Sequence, residues 1–396
     1  MTVTYDKPLI EQRSAWSAVF SMSLCVAVLI ASEFLPVSLL SPIAADLAVT
    51  EGQTGQAIAV SGVFAVITSL TIAWLTRRLD RRTVVLGFTW LLIISGLTVA
   101  MAPDYLTFMA GRAVLGIAIG GFWSMSTAIV MRLVNRADVP KGLAVLSAGN
   151  AIAATVAAPL GSFLGAHVGW RWAFLLVVPL ALAALVWQRT SLPPLQPRRE
   201  EGSADVLRLL GRRQVVCGMA AIFCLFMGQF ALFTYLRPFL EQVTGVSVPA
   251  LSTMLLIMGA AGAAGTWCIG RLLGTRLFGI LVAIPLIMAG LALALIAFGT
   301  HTAVVALLLM AWGFFGTAAP VGWGTWLSRA LPDDAEAGGG LQVAVIQLAI
   351  TAGAATGGLL FDTMGWQSTF ALGAALLAAS AVLAWTTWRF TPRQAA

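Results

Sequence analysis

Residues 277–328 read LFGILVAIPLIMAGLALALIAFGTHTAVVALLLMAWGFFGTAAPVGWGTWLS, 52 consecutive positions without an Asp, Glu, Lys or Arg. A helix needs roughly 20 apolar residues to cross a bilayer core of about 30 Å. This run therefore holds two crossings, with a turn at Gly299-Thr300-His301. Shorter charge-free runs occupy 52–76, 83–103, 113–131, 142–170, 172–188, 214–236, 242–270, 337–361 and 363–388. Adding 17–40, whose one carboxylate is Glu33, gives twelve expected spans. An even count returns both termini to one side.

Composition agrees with lipid as the solvent. Apolar residues make up 59% of the chain and charged residues only 10%, against about 25% charged in soluble domains. A formal charge of +7 raises the question of nucleic acid as a partner. The placement of the charge answers it. Alternate connections carry Lys7 and Arg13; Arg77, Arg78, Arg81 and Arg82; Arg132, Arg136 and Lys141; the arginines from Arg189 to Arg213; Arg271 and Arg276; Arg329; and Arg389 and Arg393. Twenty of 23 basic residues thus fall on one side, while Arg171 and Arg237 fall on the other and Arg112 lies inside a span. This is a positive-inside orientation signal. The expected setting is the inner membrane with both termini cytoplasmic, and no nucleic-acid partner is expected. Residues 1–16 and the run behind them read as a retained first span, because removing it spoils the alternation. Cys25, Cys217, Cys224 and Cys268 all fall in apolar runs, so neither a disulfide framework nor a metal or cofactor site is expected.

The widest polar interruption is 189–213, which contains Pro193-Pro194, Pro197 and Arg198-Arg199-Glu200-Glu201. It reads as a cytoplasmic linker between an N-terminal bundle, 1–188, and a C-terminal bundle, 214–396. Each half repeats a basic loop after its second span: Arg77-Arg78-Leu79-Asp80-Arg81-Arg82 and Arg271-Leu272-Leu273-Gly274-Thr275-Arg276. The expected fold is all-α, twelve transmembrane helices in two pseudo-symmetric six-helix bundles, which suits alternating access.

The first of these loops resembles the signature of the major facilitator superfamily, Gly-x-Leu-Ala-Asp-Arg-x-Gly-Arg-Arg. Leu75, Arg78, Arg81 and Arg82 match it, while Ala73, Arg77 and Asp80 replace the first Gly, the Asp and the second Gly. The resemblance implies a rearranged gating loop made by Arg78, Asp80, Arg81 and Arg82. Span 4 carries Arg112-x-x-x-Gly116-x-x-x-Gly120, and span 5 carries Ala158-Pro159-Leu160-Gly161-Ser162-Phe163-Leu164-Gly165, an imperfect likeness of the antiporter motif Gly-Pro-x-x-Gly-Gly. Longer blocks resemble the drug/proton antiporter branch and, within it, the bacterial purine ribonucleoside efflux pumps. They are Glu33 to Leu40, Gly120 to Ser126, Gly169-Trp170-Arg171, Gly228 to Tyr235, Pro320 to Trp323 and Gln342 to Leu348. That family has Asn where this chain has Ile350, which bears on specificity. The resemblance implies proton-coupled export of inosine, adenosine, guanosine and purine analogues by a monomer, with sugar or multidrug efflux as the alternative.

The residues themselves supply candidates for such a site. Phe122, Trp123, Phe230, Phe233 and Trp323 offer rings to stack a base, with Trp312 and Trp326 close by in sequence. Ser124, Gln229, Thr234 and Gln347 offer hydrogen bonds to ribose hydroxyls. Trp326 and Trp388, near span ends, also suit interfacial anchors. Glu33 is the one acidic residue inside the expected spans, and Arg112 lies at similar depth in span 4, roughly 10 Å or less below the outer surface. Intramembrane charges mark ion pathways, so this pair is the expected proton-coupling site. An enzyme needs a nucleophile with its base, paired acids or metal ligands held together. His167 and His301 both fall in outer loops, and no His-Glu-x-x-His occurs.

Overall fold

The computed structural model describes residues 15–135, 138–196, 209–331 and 335–391. It contains twelve helices long and apolar enough to cross a membrane. In the first half these are α1 (Trp16–Leu47), α2 (Glu51–Ile72), α3 (Arg81–Ala100), α4 (Tyr105–Leu133), α5 (Lys141–His167) and α6 (Trp170–Ser191). In the second they are α7 (Arg213–Gln242), α8 (Val248–Ile269), α9 (Arg276–Phe298), α10 (Thr302–Ala330), α11 (Gly338–Met364) and α12 (Trp366–Phe390). Of the residues named above, Lys7, Arg13, Arg136, Pro197, Arg198, Arg199, Glu200, Glu201 and Arg393 lie outside the described residues.

The halves repeat in register. Each helix of the second half starts 195 to 197 residues after its counterpart: Trp16 and Arg213, Glu51 and Val248, Tyr105 and Thr302, and likewise for the rest. The repeat extends to backbone detail. α6 and α12 both begin at a Gly-Trp step whose glycine has positive φ, 91° at Gly169 and 82° at Gly365, a conformation that costs glycine nothing. Gly116 of α4 and Gly313 of α10 are also counterparts. A Cβ on Gly116 would lie 2.1 Å from the Ser61 carbonyl oxygen, and one on Gly313 would lie 2.0 Å from that of Met258. Both glycines let α4 and α10 press directly on the backbones of α2 and α8, the close helix packing that lipid favours.

Local chemistry sets the helix ends. Thr50 and Gln53 form a reciprocal capping box at the start of α2, Asp80 caps α3 through the Arg82 amide, and Asp104 caps α4 through the Thr107 amide. That amide bond holds the exposed Asp104 carboxyl below its usual range. Each half has its own apolar core, and the second core takes in Val37, Ile58, Ala59 and Ala158 from the first half.

The helices outrun the charge-free runs. α7 continues past Leu236 to Gln242, and helix bounds enclose Asp46, Glu51, Glu241 and Asp362, so Glu33 is not the sole acidic residue within a span. A helix tolerates charge in its terminal turns, where side chains reach the interface; ending each span at the first charge therefore cuts it short. α6 runs through Ser191, and the segment after it lies on the first bundle, where the Leu195 amide donates to both oxygens of Asp80 at 3.1 and 3.0 Å.

Candidate functional site

α1 carries two internal prolines, Pro36 and Pro42. Proline has no N–H, so each leaves the carbonyl four residues earlier without its helical donor. Those carbonyls belong to Ser32 and Ser38. Each is met by an arginine. Arg112 of α4 donates from Nη1 to the Ser32 oxygen at 2.6 Å, and Arg237 of α7, from the other bundle, donates to the Ser38 oxygen. The charge of each guanidinium thus completes a break in α1 that proline creates.

Arg112 is fully buried and makes three further contacts: Nη2 to the Glu33 carbonyl at 3.1 Å and to Ser61 Oγ at 3.3 Å, and Nε to the Ala57 carbonyl at 3.2 Å. The expected meeting of Arg112 and Glu33 thus occurs through the Glu33 backbone. The Glu33 carboxylate, buried at 4% exposure, instead lies near the Gln347 side chain of α11 and the Arg112 charge. Replacing Arg112 by Leu leaves the Ser32 oxygen without a donor, at about 1–3 kcal/mol for such a buried group, and also removes the charged hydrogen bonds to Glu33, Ala57 and Ser61. The expected result is a variant at least about 3 kcal/mol less stable, read as a large fall in the thermal unfolding temperature of the purified protein. A Lys variant will recover only part of this, because one ammonium cannot span the fork.

Beside Glu33, Phe34 stacks on Phe230 with centroids 5.7 Å apart and meets Phe233 edge-on at 6.3 Å; Phe230 and Phe233 lie 5.8 Å apart. Of the expected site residues, Glu33, Phe230, Phe233 and Gln347 therefore converge where α1, α7 and α11 meet. Immediately beyond Phe233 the helical run of α7 breaks at Thr234-Tyr235 and resumes at Leu236. Irregular backbone at such depth is tolerated only where protein or a cavity surrounds it. The Thr234 hydroxyl is buried without a partner, while Tyr235 Oη donates to the Ala354 carbonyl at 2.8 Å.

Other expected residues lie elsewhere. Phe122 sits inside the first bundle and Trp323 inside the second, both at 1% exposure. Trp326, read as an interfacial anchor, is equally buried and packs edge-on against Trp323 at 5.3 Å; Trp388 is exposed. Ser124 turns its hydroxyl to its own helix, on the Gly121 carbonyl at 2.9 Å, and Trp123 is half-buried. In the α2–α3 loop Arg78 is exposed, Arg81 donates to Thr76 Oγ1 at 2.7 Å, and Arg82 donates to the Arg189 carbonyl at 2.5 Å. These contacts stay within the first bundle.

Sequence reasoning missed the belt that joins the bundles at the end away from the basic loops. Asp362 of α11 accepts from Thr50 Oγ1 at 2.5 Å and from the Gly52 amide at 3.0 Å, placing a carboxylate at the N-terminus of α2. Gln242 donates to Glu51 at 2.9 Å, and Gln56 to the Ala355 carbonyl at 3.1 Å. Arg237, expected in a connection, is buried at 5% exposure and also bonds Glu241 at 2.8 Å. The charge at Arg237 and the prolines of α1 were the available signals.

Residues 22–338 match the Major Facilitator Superfamily. The chain belongs to that superfamily. It is a multi-pass membrane transporter. A relative from Pseudomonas aeruginosa, called transcription regulatory protein OpdE, is 54% identical over 377 residues, 94% of each chain. The purine ribonucleoside efflux pump NepI of Salmonella paratyphi B is 43% identical over 380 residues, 96% of each chain. Two solved structures share the fold of this transporter. A bacterial homolog of the human lysosomal transporter Spinster, inward-facing and unoccupied, has a TM-score of 0.73 at 16% identity, covering 95% of this chain and 96% of its own. The human organic anion transporter MFSD10 has a TM-score of 0.66 at 21% identity, covering 95% and 99%.

Proposed function

We propose that this transporter exports purine ribonucleosides and purine analogues from the cytoplasm in exchange for protons, by alternating access between its two bundles. The observation that carries the reading is the junction of Glu33 and Phe34 with Phe230, Phe233 and Gln347. It sets a titratable carboxylate beside rings able to stack a neutral base, at the seam between the bundles. The activity for which NepI is named supports the same substrate class. The proposed setting is the inner membrane with both termini cytoplasmic, on the alternation of basic loops, and the proposed gate is the loop of Arg78, Asp80, Arg81 and Arg82. The regulator's name borne by OpdE fits a pump too, since moving an effector molecule out of the cell alters transcription without touching DNA.

A cationic-drug substrate is the rival reading, and it places a permanent positive charge in competition with the proton at Glu33. Cells lacking the transporter are expected to become several-fold more sensitive to toxic purine nucleosides while their resistance to bulky cations stays unchanged. Equal sensitisation to both would favour multidrug efflux.

A further inference from the structure

One turn from Phe233 on the same face of α7, Gln229 reaches toward α10. Its Nε2 lies 2.8 Å from where a Cβ on Gly316 would stand. The missing side chain at Gly316 is what admits the amide. The Gln229 Oε1 is nevertheless buried with no hydrogen-bond partner. One turn along α10 from Gly316, on the same face, Trp312 is 2% exposed and its indole Nε1 is also without a partner. A buried acceptor on α7, one turn from the aromatic cluster, and a buried donor on the facing α10 are therefore left unpaired. Native interiors pair such atoms almost without exception, and the exceptions mark places where something else completes them.

We propose that Gln229 and Trp312 form the specificity subsite of this transporter, reading a heterocycle edge that offers one hydrogen-bond donor beside one acceptor, with Gly316 providing the clearance that aims the amide. The inference rests on the nucleoside reading above and deepens it. The 6-oxopurine edge has this character: its carbonyl accepts from the Trp312 N–H, and its N1–H donates to Gln229 Oε1. Phe230 and Phe233 supply the apolar face for the ring. A site built to pair a polar edge rejects an analogue lacking that edge, because its own buried groups then stay unpaired. Apolar stacking alone does not discriminate in this way.

The test is direct binding of inosine and of purine riboside, which lacks both the 6-oxygen and N1–H, to the purified full-length protein. Wild type is expected to bind inosine about tenfold or more tighter than purine riboside, since each tenfold corresponds to about 1.4 kcal/mol. Trp312→Phe and Gln229→Met are each expected to lose about tenfold for inosine and to leave purine riboside nearly unchanged. That retained binding also shows the variants to be folded. Gly316→Ala keeps both reading groups and only displaces the amide, so it should resemble Gln229→Met. If all three variants keep the wild-type preference, the subsite is wrong and the nucleoside reading stands. If wild type binds both nucleosides equally, the subsite is again wrong. If wild type binds neither, both readings fall.

Discussion

Glu33→Gln will abolish uphill transport while sparing downhill exchange. A nucleoside is neutral and does not feel the membrane potential, so concentrating it requires a protein group that carries a proton in one direction as substrate moves in the other. Glu33 has the placement for this. It is buried on α1, its backbone is tied to Arg112 of its own bundle, and its carboxylate faces Gln347 of the other. The carboxylate can therefore change protonation without breaking the backbone bond that holds the arginine, and its charge at the seam changes when it does. Gln has nearly the same shape and cannot ionise. One proton driven by about 100 mV supplies about 2.3 kcal/mol, enough for a gradient of roughly fifty-fold. In proteoliposomes, the Gln variant should lose all of that accumulation and retain exchange of labelled for unlabelled inosine.

The second large effect is expected at Arg237. Its guanidinium donates to the Ser38 carbonyl that Pro42 leaves without a helical donor, and to Ser162 Oγ at 3.5 Å, joining the second bundle to α1 and α5 of the first. Opening this end of the molecule separates the charge from that carbonyl. Hydrogen bonds to charged groups contribute about 1.5–3 kcal/mol, so Arg237→Met should shift the balance toward the state open at this end by roughly ten- to a hundredfold. Spin labels at Ala45 and Thr363, both exposed at this end, will report a longer distance in the variant. An unchanged distance distribution would show that the belt does not set the balance. Pro42→Ala is an informative companion. It restores an N–H for the Ser38 carbonyl, so the open state no longer leaves that oxygen unpaired, and the shift should run the same way with smaller size.

The fold was legible because lipid imposes a one-dimensional code: charges interrupt the chain at nearly every crossing, and the basic ones alternate. The turn at Gly299-Thr300-His301 and the paired halves both followed from it. The site was legible only in part. Glu33 and Arg112 stood out because charge inside an apolar run is costly, and Phe230, Phe233 and Gln347 were named as candidates. Phe122, Trp323 and Trp326 lie packed inside a bundle, which the sequence did not show, for a physical reason. Helices that are apolar all round give no periodic stripe to say which face meets the cavity, the bundle core or lipid, so an aromatic side chain there has no readable direction. The belt was hidden differently. Thr50 and Asp362 are separated by 312 positions, and ending spans at the first charge left Glu51, Arg237, Glu241 and Asp362 in apparent loops. The pairing of Pro36 with Arg112 and of Pro42 with Arg237 was present in the residues. It needed the arrangement of α1, α4 and α7 to bring each arginine to its carbonyl.

Proton-for-nucleoside exchange is the central claim, and the most direct measurement follows both species in the same vesicles. Purified transporter in sealed proteoliposomes, loaded with a pH-sensitive dye, is given an inosine gradient and no initial proton gradient. The account predicts an internal pH change in the direction of antiport, present with wild type, absent with Glu33→Gln and undiminished by an outwardly or inwardly directed sodium gradient. Inosine flux with no accompanying pH change, or the same pH change in the Gln variant, would contradict it.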